Sequence, residues 1–96
     1  MKGCVMALGF YFSPDSFSAD QYDKCIKRLD EAGAGAPAGR IYHVAFESGN
    51  GLHVFDVWDS QESFEAFGKT LVPIMANLGA DPGTPHVSKV HNAIQG

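Results

Sequence analysis

The sequence predicts an α+β fold in which a four-stranded antiparallel sheet carries two helices on one face. Three observations lead to this prediction: a hairpin signal in the middle of the 96 residues, a helix-start signal on each side of it, and a strand-like run towards each end. The element order is therefore strand, helix, strand, strand, helix, strand. With right-handed crossovers, this order gives a ferredoxin-like βαββαβ plait, predicted as one domain over residues 1–96.

The hairpin signal is Asn50-Gly51, which lies between two alternating, β-prone runs. Both residues tolerate the positive φ angles of a two-residue type I′ turn, and such a turn pairs Gly49 with Leu52. Because side chains alternate along a strand, the residues of the hairpin fall on two faces, one wholly apolar and one mixed. The apolar face holds Val44, Phe46, Phe55 and Val57, and the mixed face holds His43, Ala45, Glu47, Val54, Asp56 and Trp58.

The first helix is predicted from capping chemistry. Ser18 is a good N-cap, and Gln21 completes a capping box three residues later. Phe17 and Tyr22 flank this start as a hydrophobic staple, and Tyr22 also begins an apolar stripe at helical spacing. Gly33 is predicted to end the helix.

The second helix is predicted to start at Asp59, with Glu62 closing its capping box. Apolar residues at helical spacing continue from there to Gly79, which is predicted to end the element. Pro73 interrupts the stripe, and an interior proline usually kinks or breaks a helix. We therefore expect a kinked helix, or two short helices in sequence.

The outer strands are predicted over Val5–Phe12, an apolar and aromatic run, and over Val87–Asn92, which is partly polar. Cys4 falls at the start of the first strand and Cys25 inside the first helix. Their spacing does not indicate a metal site, so both are interpreted as small buried hydrophobic residues. A disulfide and a catalytic thiol are the alternatives.

The predicted arrangement leaves one face of the sheet without a helix. The mixed face, which carries Ala45, Val54 and Trp58, is expected to be this open face. Burying apolar area stabilises by about 25 cal/mol per Å², so an open sheet face of this kind favours association with a second copy of the chain. We therefore expect a homodimer.

The composition excludes several classes of partner. Lys and Arg total 7 against 11 Asp and Glu, and they form no cluster, so neither nucleic acid nor an anionic membrane is expected as a partner. No apolar run approaches the roughly 20 residues of a membrane span. The apolar N-terminal segment is interpreted as a strand rather than a signal sequence, and a cytoplasmic location is expected.

The candidate catalytic residues are His43 and Asp56, which share the mixed face with Trp58. The predicted register places Asp56 diagonal to His43, where a carboxylate orients an imidazole that shuttles a proton near neutral pH. Trp58 offers a flat wall for an aromatic substrate. The alternative is a set of interface hydrogen bonds with no catalytic task.

Two further residues are candidates for substrate contact. Tyr11 can hydrogen-bond a ligand hydroxyl, although strand aromatics more often pack, and His91 joins the same cavity if its strand register allows. The four histidines lack the short spacings of strong metal sites, and no metal is predicted.

The run Asp56-Val57-Trp58-Asp59-Ser60-Gln61-Glu62-Ser63-Phe64, with Phe67 following, resembles the dimeric α/β-barrel superfamily, and within it the antibiotic-biosynthesis-monooxygenase-like domains. The resemblance implies a homodimer with a ligand cavity between sheet and helices or between two sheets. It also implies an active-site role for Trp58. Some members oxygenate polycyclic phenols without metal or flavin, others are isomerases, and some degrade haem. The chain lacks the Asn and the helix-borne His of the haem-degrading pattern, so no cofactor is expected.

The sequence therefore supports two alternative functions. The first is a cofactor-independent enzyme, monooxygenase-like or isomerase-like, that acts on a small aromatic or cyclic ligand, with His43 as proton shuttle. The second is a small-molecule-binding or structural homodimer without turnover.

Overall fold

The computed structural model describes residues 7–49 and 51–94 and has the predicted element order. The elements are β1 (Leu8–Phe12), α1 (Ala19–Glu31), β2 (Arg40–Ser48), β3 (Gly51–Trp58), α2 (Gln61–Asn77) and β4 (His86–Lys89). The sheet order is β2-β3-β1-β4, and all neighbouring strands are antiparallel. The ferredoxin-like plait is thereby confirmed. The predicted strand start at Val5, the cysteine at position 4 and the turn residue Asn50 lie outside the described residues.

Helix α1 forms as its local signals predict. The Ser18 hydroxyl accepts a hydrogen bond from the backbone N–H of Gln21 at 3.0 Å, and the Gln21 side chain accepts one from the backbone N–H of Ser18 at 3.0 Å. The rings of Phe17 and Tyr22 pack edge to face at 6.1 Å, as expected for the staple. Gly33 follows the helix with φ of 78°, a conformation that glycine adopts without steric cost.

Helix α2 differs from its prediction at the N-cap, and at the proline it keeps the single-helix alternative. Its N-cap is Ser60 rather than Asp59, since the Ser60 hydroxyl accepts a hydrogen bond from the backbone N–H of Ser63 at 3.1 Å. Pro73 lies inside one continuous helix of 17 residues, so the expectation of two short helices is wrong. Neither helix in the described ranges is long and apolar enough to cross a lipid bilayer.

The hairpin register differs by two residues from the predicted one. Ser48 pairs with Gly51, whereas the predicted turn pairs Gly49 with Leu52. Gly49 has φ of 56°, whereas Gly51 lies in β3, where a Cβ would come within 2.6 Å of the Phe17 carbonyl oxygen. Gly51 is therefore needed for this close approach, which lets the Leu52 N–H donate to the Phe17 carbonyl at 2.7 Å. A slip of two residues keeps each side chain on its predicted face.

The helices cover the mixed face, so the prediction that this face is open is wrong. Trp58 is 0% exposed and belongs to the core between sheet and helices. Strand β1 explains why the helices cover this face. Phe10 pairs with Asp56 and Phe12 with Val54, which places both phenylalanines on the same side of the sheet as Trp58. The larger apolar area therefore lies on this side once all strands are counted. The buried core consists of Phe10, Phe12, Phe17, Cys25, Leu29, Leu52, Trp58, Phe67 and Met75.

The face that carries Phe46 and Phe55 points away from the helices, and we call it the open face. Tyr42 and Phe46 on β2 are 49% and 40% exposed there. Phe55 lies over Gly9, where a Cβ would be only 3.0 Å from its ring. The open face is thus largely apolar and aromatic. Its residues are Gly9, Tyr11, Tyr42, Val44, Phe46, His53, Phe55, Val57, His86 and Ser88.

Candidate functional site

A buried carboxylate connects β2 to β3 beneath the helices. His43 and Asp56 are direct partners across the two strands rather than diagonal neighbours, and their Nδ1 and Oδ1 atoms are 2.5 Å apart. The second oxygen of Asp56 accepts a hydrogen bond from the Trp58 indole N–H at 3.3 Å. Asp56 is only 4% exposed, so these two donors replace the water that its carboxylate loses on burial. The predicted contact between His43 and Asp56 is therefore present.

Helix α1 extends this network by a tyrosine. The Tyr22 hydroxyl lies 2.7 Å from His43 Nε2, and the two rings are nearly parallel with centroids 5.9 Å apart. Because the Asp56 carboxylate accepts the Nδ1–H of His43, Nε2 carries the lone pair and accepts the Tyr22 O–H. Tyr22, His43, Asp56 and Trp58 thus form one continuous chain of hydrogen bonds, which we call the relay.

Sequence reasoning missed the part that Tyr22 plays in the relay. The staple accounts for the apolar ring but leaves the hydroxyl without a partner. A half-buried tyrosine normally satisfies its O–H, and His43 on the facing strand was an available acceptor. Pairing the two required the helix-covered face to be assigned correctly.

Burial and charge keep Tyr22 in its protonated, donating form. Desolvation raises the pKa of Tyr22 above its ordinary value of 10.0, the negative charge of Asp56 raises it further, and Arg40 opposes the shift. Burial also raises the pKa of the Cys25 thiol above 9.0, with Arg28 opposing. A thiol that holds its proton is a poor nucleophile, so the catalytic-thiol alternative loses support.

The relay borders an apolar cavity of about 60 Å³ between the helices and the sheet. Apolar side chains form most of its wall, including Phe12, Leu29, Val54, Phe64, Phe67 and Met75. Its polar groups are those of Tyr22, Arg40, His43 and Asp56. A mostly apolar hollow bordered by a small number of polar residues is typical of small-molecule sites.

Trp58 lies behind this cavity rather than on its surface. Its ring packs against Phe64 and Phe67 at centroid distances of 5.8 and 5.3 Å, and these two phenylalanines line the cavity. The predicted role of Trp58 as a stacking wall is therefore wrong, because its ring is fully buried. The indole instead holds Asp56 in place through its N–H.

Two of the predicted substrate contacts lie away from the relay. Tyr11 points to the open face, where its hydroxyl is 2.7 Å from Nδ1 of His53. His91 is exposed and follows β4, which ends at Lys89 rather than at Asn92 as predicted. Neither residue lines the cavity. Across residues 7–49 and 51–94, no three His, Cys, Asp or Glu side chains gather in a way that could hold a metal ion.

The sequence matches no family model and no curated protein. Solved structures do match over nearly the whole chain. A protein of unknown function from Nitrosomonas europaea has a TM-score of 0.65 at 18% identity, and the match covers 98% of each chain. A protein assigned as an antibiotic biosynthesis monooxygenase from Chloroflexus aurantiacus has a TM-score of 0.58 at 21% identity, covering 93% of this chain and 95% of its own.

A monooxygenase from Streptomyces coelicolor, solved in complex with nanaomycin D, has a TM-score of 0.57 at 14% identity, covering 96% and 93% of the two chains. A dimeric ferredoxin-like protein from an uncultured marine organism is also among the matches. At these identities the likeness establishes the fold alone. The chain therefore has the fold of antibiotic-biosynthesis-monooxygenase-like and dimeric ferredoxin-like proteins, as the strand–helix junction after Asp56 indicated.

Proposed function

We propose that the protein is a cofactor-independent enzyme that removes a proton from a small aromatic or cyclic ligand, in a monooxygenase-like or isomerase-like reaction. The observation that carries this proposal is the relay, which runs from a buried carboxylate through His43 to a hydroxyl at the cavity wall. A base, a group that orients it and a neighbouring apolar hollow are the parts that general base catalysis needs.

In this proposal His43 is the base and Asp56 orients it. The Nε2 lone pair accepts a proton from the ligand, either directly or through the Tyr22 hydroxyl, which donates its own proton to Nε2 as it takes one up. The resulting imidazolium is stabilised by the Asp56 carboxylate, which remains ionised. Trp58 positions that carboxylate through its second oxygen.

The two reaction classes share this first step and differ in the second. In an isomerase the proton returns from His43 to a different atom of the ligand. In an oxygenase the deprotonated ligand reacts with dioxygen as the co-substrate. The solved structures of the same fold include a monooxygenase, which supports the oxygenase reaction. The relay can serve either reaction.

The size of the cavity favours a small ligand. A cavity that binds benzene measures about 150 Å³, so a single ring exceeds the 60 Å³ between sheet and helices. A groove of about 310 Å³ on the outer side of α1 and β2 shares Ile26, Leu29 and Arg40 with the cavity. A one-ring ligand therefore requires the cavity to widen, and the shared side chains lie on the side of this outer groove.

The test is turnover by matched histidine variants. The wild type is incubated in air and under argon with a panel of one-ring phenols and enolisable cyclic ketones, and products are followed by mass spectrometry. His43→Asn is expected to lower turnover by about 10²- to 10⁴-fold, the usual contribution of a general base. His53→Asn is the matched control, because His53 also contacts a tyrosine hydroxyl but lies on the open face. Equal turnover in the wild type and His43→Asn would refute the proposal that His43 is the general base.

The second candidate function is a binding or structural homodimer without turnover, and the open face is the observation that favours association. Tyr42 and Phe46 expose large apolar surfaces there beside the half-buried Tyr11 and Phe55. Such a face is stabilised by a partner with the same surface. A homodimer is compatible with either function, and a matched protein of this fold is described as dimeric.

Sedimentation of two aspartate variants tests the homodimer. Phe46→Asp places a charge on the open face and is expected to convert a dimer to single subunits. Val72→Asp places the same charge on an exposed apolar position of α2, and is expected to leave the dimer intact. A wild type that sediments as one subunit at micromolar concentration would refute the association.

A further inference from the structure

Arg40 reaches the cavity because of a β-bulge at the start of β2. Arg40 pairs with Trp58, whereas Tyr42 pairs with Val57, so Ile41 is the extra residue of the bulge. In an uninterrupted strand, positions 40 and 42 lie on the same face. The bulge instead puts Tyr42 on the open face and Arg40 on the helix-covered face. Bulges often redirect a side chain in this way next to a functional site.

The guanidinium of Arg40 is held in place but keeps most of its hydrogen-bonding capacity. It lies 5.9 Å from the centroid of the Phe67 ring and donates one hydrogen bond, to the Gly35 carbonyl at 3.2 Å. Within residues 7–49 and 51–94 it has no carboxylate partner. Asp56, which also lines the cavity, already uses one oxygen for His43 and the other for Trp58. The remaining N–H donors of Arg40 suit a planar anion, which a guanidinium binds through two parallel hydrogen bonds.

The location of Arg40 determines how such an anion meets the rest of the site. Arg40 lines both the 60 Å³ cavity and the 310 Å³ outer groove, so its side chain borders both hollows. The groove also carries Asp23, Asp30 and Lys27, so its formal charge is zero when Arg40 is included. Arg40 is the only one of these four charged residues that also lines the cavity. The positive charge of Arg40 also acts on Tyr22, where it opposes the effect of burial on the hydroxyl.

We propose that the ligand of this site is a small organic anion: a carboxylate attached to one ring, with the carboxylate bound by Arg40 and the apolar body along the cavity wall. This inference rests on the proposed function for its second half, in which the ring presents an acidic hydrogen to Tyr22 and His43. The anion site itself depends only on Arg40 and its surroundings.

The test is the binding of benzoate and of benzamide, its neutral analogue of the same shape, followed by calorimetry and amide NMR. Benzoate is expected to bind the wild type more tightly than benzamide does. Arg40→Gln is expected to weaken benzoate binding by about tenfold or more, as loss of a charged hydrogen-bond pair does, and to leave benzamide binding unchanged. Arg40→Lys keeps the charge without the planar fork, so it is expected to give an intermediate affinity.

Arg28→Gln is the matched control, because Arg28 lies exposed on α1 and hydrogen-bonds Asn77 at 2.5 Å. This variant makes the same change in net charge and is expected to bind benzoate as the wild type does. Three outcomes would overturn the proposal. They are no benzoate binding to the wild type at millimolar concentration, equal affinity of the wild type for benzoate and benzamide, or an equal loss of benzoate affinity in Arg40→Gln and Arg28→Gln. Binding is measured without turnover, so it is independent of the fate of the proton-transfer proposal. His43→Asn is expected to lower turnover by about 10²- to 10⁴-fold and still to bind benzoate.

Discussion

The relay makes a specific prediction about two substitutions of Asp56. Asp56→Ala removes both acceptors, which leaves the Nδ1–H of His43 and the indole N–H of Trp58 without their partners. The His43 side chain is 21% exposed and can turn to water or change tautomer. Trp58 is completely buried, so its indole N–H cannot turn to water. A buried donor without an acceptor costs about 1–3 kcal/mol, so Asp56→Ala is expected to lower the free energy of unfolding by about 2–4 kcal/mol when the lost packing is included.

Asp56→Asn is expected to behave differently because an amide keeps one acceptor and gains a donor. Its oxygen accepts the indole N–H of Trp58, and its NH₂ group donates to Nδ1 of His43. His43 then carries its proton on Nε2 and donates to Tyr22 instead of accepting from it. The indole N–H of Trp58 and both ring nitrogens of His43 remain paired, and the O–H of the half-buried Tyr22 can turn to water, so the expected loss of stability is below about 1 kcal/mol. The base nitrogen that faces Tyr22 is nevertheless lost, and turnover is expected to fall as far as in His43→Asn.

Urea denaturation measures the stability of both variants, and ¹⁵N NMR of the imidazole identifies the tautomer of His43. Asp20→Ala is the control, since Asp20 forms an exposed pair with Lys24 at 3.2 Å and its loss is expected to cost less than about 0.5 kcal/mol. Equal losses for Asp56→Ala and Asp56→Asn, or an unchanged tautomer in Asp56→Asn, would refute the relay as described.

Three further predictions concern Tyr22 and two glycines. The pKa of Tyr22 is raised above 10.0 in the folded chain, so the folded state holds this proton more tightly, and the free energy of unfolding falls as pH rises above about 10. Tyr22→Phe is expected to reduce that alkaline decline in urea titrations, with Tyr42→Phe as the control for a lost hydroxyl. Gly51→Ala places a Cβ within 2.6 Å of the Phe17 carbonyl oxygen, and is expected to destabilise by about 2 kcal/mol or more. Gly68→Ala meets no atom within 4 Å inside α2 and is expected to stabilise by up to about 1 kcal/mol, measured by the same denaturation.

The elements of the fold could be predicted from the sequence because their signals are local. The Ser18 capping box and the Gly33 stop each involve residues a few positions apart, and both are present as predicted. Element order then leaves few possible topologies for a chain of this length. The hairpin register was less secure, since Gly49 and Gly51 both permit a turn. The choice between them depends on Phe17, whose backbone contacts Gly51 from a distant part of the chain.

The choice of the buried face depends on residues outside the hairpin. Judged from β2 and β3 alone, the side with His43 and Asp56 is the more polar, and polar groups are usually left to solvent. Phe10 and Phe12 reverse that balance, but their facing becomes known only from the pairing of β1 with β3.

The same residues that make the face difficult to predict make it suited to chemistry. A buried carboxylate and imidazole are costly unless each of their polar atoms has a partner, and here Trp58 and Tyr22 supply those partners. Local sequence rules fail where a chain places polar groups in its core, and such places are expected to be functional sites. Tyr22 shows why the site could not be completed from the sequence: its ring satisfies the helix pattern, and its hydroxyl acquires a role only from His43 on another element.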